Sequence, residues 1–186
     1  QLNITPLSSH AHRPHVPGQL LGCDTFADSL NLSNEELQQI DAFLYIGDGK
    51  FHPYALAFAQ KDTQPFKEII CNDPLAKTCS FVTKETIITY LNRHRASRIK
   101  FLAANHVGIL ISTKPGQEYL RQSFTLEEKY PNKRFSYFID NTISFDQLEN
   151  FPFIECWVNT ACPRIGFDDV EKFRKGVLNM ADALKA

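Results

Sequence analysis

Cysteine has the widest choice of chemistry among the side chains of this sequence, and it occurs at positions 23, 71, 79, 156 and 162. Thiolates bind soft metals, attack electrophiles or pair as disulfides. An odd number argues against a complete disulfide framework, and 186 residues do not need one for stability. There is no C-x-x-C pair, no zinc-ribbon spacing and no C-x-x-x-C-x-x-C loop, so any metal site must gather its cysteines from far apart in the chain. Cys162 precedes Pro163. Cys-Pro recurs around iron–sulfur ligands, because Pro fixes the backbone while the thiolate faces the cluster. Cys23 follows Gly22; its plain alternative is a small residue packing at a strand end. Cys71, Cys79 and Cys156 read as small buried hydrophobes.

Gly47-Asp48-Gly49-Lys50-Phe51-His52 sets two glycines between an apolar run and a helical stretch. Such a loop brings backbone N–H groups close to an anionic ligand at a helix N-terminus. The third glycine of G-x-G-x-x-G is replaced by His52, so a plain turn is the alternative reading. His10, His12 and His15 cluster in an arm that offers no second shell to orient them as ligands. Ser8 and Ser9 lack a base, and no G-x-S-x-G elbow occurs. Trp157 reads as core, and Lys129 to Arg134 as a solvated basic loop.

The elements that would position these residues alternate. Residues 1–18 hold three prolines without apolar periodicity and read as an extended arm. Ala42 to Ile46 is a buried strand closed by the glycine turn, and His52 to Ala59 a helix with Pro53 in its first turn. Phe66 to Cys71 is a second strand, ended by Asn72-Asp73-Pro74. Thr83 caps a long or bent helix reaching Asn105, with Ile87, Ile88, Leu91, Ile99, Leu102, Ala103 and His106 mostly on one face. Strands at Val107 to Ser112, Phe135 to Ile139 and, last, Ile154 to Asn159 alternate with a helix over Gln117 to Lys129 and a short turn capped by Ser144. This order predicts an α/β fold: two consecutive related three-layer units with mainly parallel sheets. The expected division is an arm over 1–16, one unit over 17–95, and a second over 96–186 that includes a C-terminal tail. Ligands of such sheets collect at the carboxyl ends of strands. Gly47-Asp48-Gly49, Thr113-Lys114-Pro115-Gly116 and Thr160-Ala161-Cys162 all fall there.

Composition narrows the classes. Hydrophobic residues make up 43% and charged residues 22%, which excludes a disordered chain. A net charge of −1 lacks the basic excess of a dedicated nucleic-acid binder. No apolar run reaches the ~18 residues of a membrane helix, and no apolar segment before Leu20 resembles a signal peptide. These features point to the cytoplasm.

Four motifs in order give the chain a family likeness. Gly18-Gln19-x-Leu21-Gly22-Cys23-Asp24 comes first, then Tyr45-Ile46-Gly47-Asp48-Gly49-x-Phe51-His52-Pro53. Ser112-Thr113-Lys114-Pro115-Gly116-Gln117 follows, then Val158 to Asp169 around Cys162-Pro163-Arg164. Together they resemble the diphthamide synthesis family, from about residue 17 to 184, in the style of the archaeal 2-(3-amino-3-carboxypropyl)histidine synthases. The resemblance implies three related α/β domains, each giving one cysteine to a central [4Fe–4S] cluster, with the fourth iron open to S-adenosylmethionine. It makes Cys23 and Cys162 cluster ligands from the second and third domains. Reductive cleavage of S-adenosylmethionine would yield a 3-amino-3-carboxypropyl radical that adds to a histidine of translation elongation factor 2. Gly47, Gly49 and Arg164 become candidates for holding the aminocarboxypropyl end.

The family's first domain, with the first cluster cysteine, has no counterpart here, which implies a fragment or a split subunit. Alone it is expected to be inactive, its missing domain or a partner subunit completing a homodimeric or heterodimeric enzyme. The alternatives are a non-catalytic partner subunit of the same system, and a plain α/β ligand-binding module with structural cysteines.

Overall fold

The computed structural model describes residues 5–8, 16–21, 30, 32–114, 119–167 and 169–186. The chain divides into two compact units, Gln1–Leu91 and Asn92–Ala186.

In the first unit, helix α1 (Asn34–Gln39) starts from a reciprocal capping box. The Glu36 amide donates to Ser33 Oγ at 3.1 Å, and the Ser33 amide donates to Glu36 Oε2 at 2.8 Å. Strand β1 (Phe43–Ile46) leads through the glycine turn into α2 (Phe51–Ala59), which buries Ala55, Leu56, Ala57 and Phe58. Strand β2 (Ile69–Asp73) lies parallel to β1, with Phe43 beside Ile69 and Ile46 beside Asn72. The parallel return requires a crossover, and α2 supplies it.

Sequence reading ended the second strand at Cys71 and gave it no partner downstream. The strand instead continues through Asp73 and turns back into β3 (Thr78–Val82), antiparallel to β2. The reason is local: Asp73 Oδ1 accepts from the Leu75 and Ala76 amides, each at 2.9 Å, and Lys77 takes φ 54° to close the hairpin. Cys71 is therefore only half-buried, and Cys79 on the edge strand is exposed, so neither is the buried hydrophobe expected. One face of this sheet leaves Leu44, Ile46 and Phe81 exposed.

Helix α3 (Ile88–Ala103) begins five residues later than the expected cap at Thr83. Thr83 and Thr86 bond to each other in the preceding turn instead. Its hidden face also differs from the expected one. Ile87 and Leu91 are buried as expected, but further along Ser97 and Phe101 face inward, whereas Ile88, Ile99 and Leu102 are exposed and His106 belongs to the next strand. Ser97 faces inward because the Gly176 backbone comes close: a β-carbon on Gly176 would stand 3.2 Å from Ser97 Cα.

The second unit holds a wholly parallel sheet. Strands β4 (His106–Ser112), β5 (Arg134–Asp140), β6 (Cys156–Asn159) and β7 (Val177–Asn179) lie in the order β5-β4-β6-β7. β4 and β6 are central and buried on both faces, so their sequences, Val-Gly-Ile-Leu-Ile and Cys-Trp-Val, are continuous apolar runs. Val107, Ile109, Ile111, Cys156, Val158 and Leu178 point to one core with Phe101 and Leu126. Leu110, Trp157 and Val177 point to the other, with Leu148, Val170 and Phe173. Trp157 is core, as expected.

Between β4 and β5 the expected single helix is two short ones, α4 (Leu120–Ser123) and α5 (Thr125–Lys129). Ser144 precedes α6 (Phe145–Leu148) without making a side-chain cap. β6 is not the last strand: β7 and then α7 (Met180–Leu184) follow and join the core. The basic loop after α5 is not simply solvated. Lys133 Nζ donates to the carbonyls of Leu102 and Ala104 at 2.8 and 2.6 Å, and Lys129 Nζ donates to the Leu184 carbonyl. No helix among the described residues is long and apolar enough to cross a membrane.

Candidate functional site

The strand order makes one position in the second unit special. The chain passes from β4 to β5 on one side and then to β6 on the other, so the carboxyl ends of β4 and β6 flank a topological switch point, where open α/β sheets bind ligands. The segment leaving β6 is Thr160-Ala161-Cys162-Pro163, and each of its four residues is held by at least one hydrogen bond. Thr160 donates to the Leu110 carbonyl from both its amide (3.0 Å) and its hydroxyl (2.8 Å). Cys162 stands just before a 3-10 turn over Pro163–Gly166, with φ −58° and ψ 124°. Pro163 suits the first position of that turn because it has no N–H to satisfy. The Ile165 amide donates to the Cys162 carbonyl at 3.0 Å.

Two side-chain amides hold the same segment from below. Asn159 Nδ2 donates to the Cys162 carbonyl at 2.9 Å and to Asn179 Oδ1 at 2.7 Å, while Asn159 Oδ1 accepts from the Ala161 amide at 3.1 Å. Asn179 Nδ2 donates to the Pro163 carbonyl at 2.9 Å. Neither asparagine carries a signal in the sequence that marks it for this role. Their partnership exists only through the β6–β7 register, which sets Asn159 beside Asn179.

Cys162 itself is a free, half-buried thiol at this strand end. A soft donor on a half-buried residue with a hydrogen-bonded backbone fits a single iron–sulfur ligand. Cys156, six residues earlier, does not: it is fully buried, its sulfur donates to the Gly176 carbonyl at 3.3 Å, and burial pushes its thiol up to about 12. Arg164 lies exposed in the 3-10 turn, its carbonyl accepting from the Phe167 amide at 3.1 Å. Among the described residues no group of three or more His, Cys, Asp or Glu side chains could hold a metal. Cys23, His10, His12 and His15, along with Pro115 and Gly116 of the loop after β4, lie outside the described residues. The expected nearness of Cys23 to Cys162 therefore has no described geometry.

In the first unit, Gly47-Asp48-Gly49 leaves the carboxyl end of β1 and enters α2. Gly49 adopts φ 72°, a left-handed conformation that glycine reaches without steric cost. Gly47 donates to the Asn72 carbonyl at 3.0 Å, and a β-carbon there would stand 2.8 Å from the Tyr45 hydroxyl oxygen. That hydroxyl donates to the Asp48 carbonyl at 3.1 Å and braces the turn. Burial, then the nearby Asp48 carboxylate, raises the Tyr45 phenol above its ordinary value, so it stays a donor.

Comparison with known proteins shows the family and the fold. The family model described as "Putative diphthamide synthesis protein" matches residues 1–186. A 2-(3-amino-3-carboxypropyl)histidine synthase of Pyrococcus horikoshii is 32% identical over 164 residues, covering 87% of this chain and 43% of that protein. The corresponding synthase subunit 1 of Nematostella vectensis is 29% identical over 174 residues, covering 92% and 34%. Among solved structures, Dph2 from Pyrococcus horikoshii with a 4Fe-4S cluster superposes with a TM-score of 0.70 at 29% identity, covering 91% of this chain and 44% of that one. The chain thus spans less than half the length of these relatives. With its parallel sheet, its motif order and a match along its whole length, the chain belongs to the diphthamide synthesis family.

Proposed function

We propose that this chain forms part of an iron–sulfur enzyme that cleaves S-adenosylmethionine and transfers the 3-amino-3-carboxypropyl group to a histidine of translation elongation factor 2, the first step of diphthamide biosynthesis. The observation that carries the reading is the braced Cys162 loop at the switch point of the parallel sheet, in a chain whose relatives are named for this transfer. The 4Fe-4S cluster in the Dph2 structure supports the same assignment.

In this reading Cys162 and Cys23 supply two thiolates, and a third comes from polypeptide beyond these residues, in the same gene product or in a partner subunit of a homodimer or heterodimer. When bound, the cluster supplies the electron for reductive cleavage of the sulfonium and the open iron that receives the cofactor. The rest falls to the protein. The Gly47–Gly49 turn, whose Gly47 amide is already engaged by the Asn72 carbonyl, and the Arg164 guanidinium, in the other unit, are separate candidates for holding the carboxylate of the aminocarboxypropyl end. The chemistry takes place in the cytoplasm, where elongation factor 2 works.

The test is anaerobic reconstitution with iron and sulfide, of this chain alone and together with the polypeptide that completes the family's length. Iron content and the thiolate-to-iron absorption should depend on the second polypeptide and on both Cys23 and Cys162. S-adenosylmethionine cleavage should appear only in the assembled sample. A full cluster without cleavage in that sample would favour a non-catalytic subunit, and no iron in any sample would leave a ligand-binding module with structural cysteines.

A further inference from the structure

The amide pair below Cys162 is a buried polar network placed where an apolar core would otherwise continue. Asn159 and Asn179 are 1% and 7% exposed and stand two residues beyond Trp157 and Val177, on the same face of the sheet. Buried amides are costly unless bonded. Here their bonds go to one another and to three consecutive residues, Ala161, Cys162 and Pro163. The backbone partners also dictate which way each amide points, since a carbonyl can only accept and an N–H only donate. Gly166 leaves room for this: a β-carbon there would stand 2.4 Å from Asn179 Oδ1.

We propose that Asn159 and Asn179 are positioning residues for the Cys162 thiol, clamping its peptide so that the sulfur keeps one direction, and that Gly166 is required because any side chain would displace the clamp. The clamp itself stands on the geometry; its purpose rests on the reading of Cys162 as a cluster ligand. A ligand whose loop cannot drift holds iron against competing thiols and water, and two amides achieve this without adding charge beside the site.

The experiment measures alkylation of Cys162 by iodoacetamide in the reduced chain, by mass spectrometry, with exposed Cys79 as the internal reference. Three variants are compared with the native chain: Asn179→Ala, Gly166→Ala, and the two combined. Asn179→Ala removes the bonds to Asn159 and to Pro163, and Gly166→Ala displaces the same side chain, so each single variant should raise the Cys162-to-Cys79 rate ratio roughly five- to tenfold. Combining them removes the clash, so the double variant should regain melting temperature relative to Gly166→Ala while keeping the raised ratio. A ratio that is unchanged, or that returns to native as stability returns, overturns the proposal. If Asn179→Ala does not fold, Asn179→Ser carries the same expectation, because it stays neutral and is too short to reach the Pro163 carbonyl. Cys162→Ser in the assembled, reconstituted sample tests the ligand reading separately. Undiminished iron there overturns that reading while the alkylation result still decides the clamp.

Discussion

Gly108 on β4 and Trp157 on β6 lie side by side in the parallel ladder, so close that a β-carbon on Gly108 would stand 2.2 Å from Cζ3 of the indole. The missing side chain is the slot in which the indole lies, edge-on to Phe138 at 4.9 Å between ring centroids. Gly108→Ala should therefore destabilise the second unit by about 3 kcal/mol, the upper range for overpacking. Urea unfolding of Gly108→Ala, Trp157→Leu and the double variant checks this. The double variant should be more stable than the sum of the single losses, and simple additivity would refute the steric account.

Lys133 acts as a cap for α3. Its ammonium bonds the carbonyls of Leu102 and Ala104, where the helix has run out of amide donors, and stands 5.4 Å from the centre of the Phe101 ring. Lys133→Met keeps the stem and removes the donors. It should cost about 1–2 kcal/mol and speed hydrogen exchange in the last turn of α3 before the rest of the helix. Uniform exchange along α3 would show that the bonds add nothing local.

Stability should depend on alkaline pH through Cys156. Its folded thiol is pushed from an ordinary 9.0 up to about 12, chiefly by burial. Above pH 9 the unfolded chain gives up this proton and the folded one does not, so stability present below pH 9 is lost as pH rises toward 12. Relative to Cys156→Val, the native chain should lose about 2 kcal/mol between pH 9 and 10.5. Equal pH slopes for the two proteins would contradict it.

Gly49 separates conformation from contact. It has φ 72°, and no atom lies within 4 Å of where a β-carbon would be. Gly49→Ala should cost about 1 kcal/mol, and Gly49→Asn less, because Asn visits the left-handed region more readily. In the assembled enzyme Gly49→Ala should also weaken S-adenosylmethionine binding, measured by titration calorimetry. Lower melting temperature with unchanged binding would make the turn structural only.

The parts legible in the sequence were those that depend on local patterns. Val107 to Ser112 announces itself as a buried parallel strand because both of its faces are apolar. Cys162 stood out because Pro follows it. The antiparallel β3 was missed, since Pro74 reads as a stop while the Asp73 carboxylate in fact builds the hairpin. Helix α1 carries a readable local signal, the capping box Ser33-x-x-Glu36. β7 is three residues long and carries no period. The roles of Asn179, Gly166 and Lys133 were illegible for a common reason: each depends on a partner 13 to 31 residues away, brought near only by the folded sheet.

The bond between Asn159 and Asn179 also imposes a sequence of events. Cys162 leaves the ribosome before the strand that carries Asn179, because synthesis runs from the N-terminus. Until β7 docks on β6, the loop lacks the two bonds that need the Asn179 side chain. Strand docking is then the step that finishes the loop: the polypeptide closes its sheet first, and a fixed Cys162 peptide is the result.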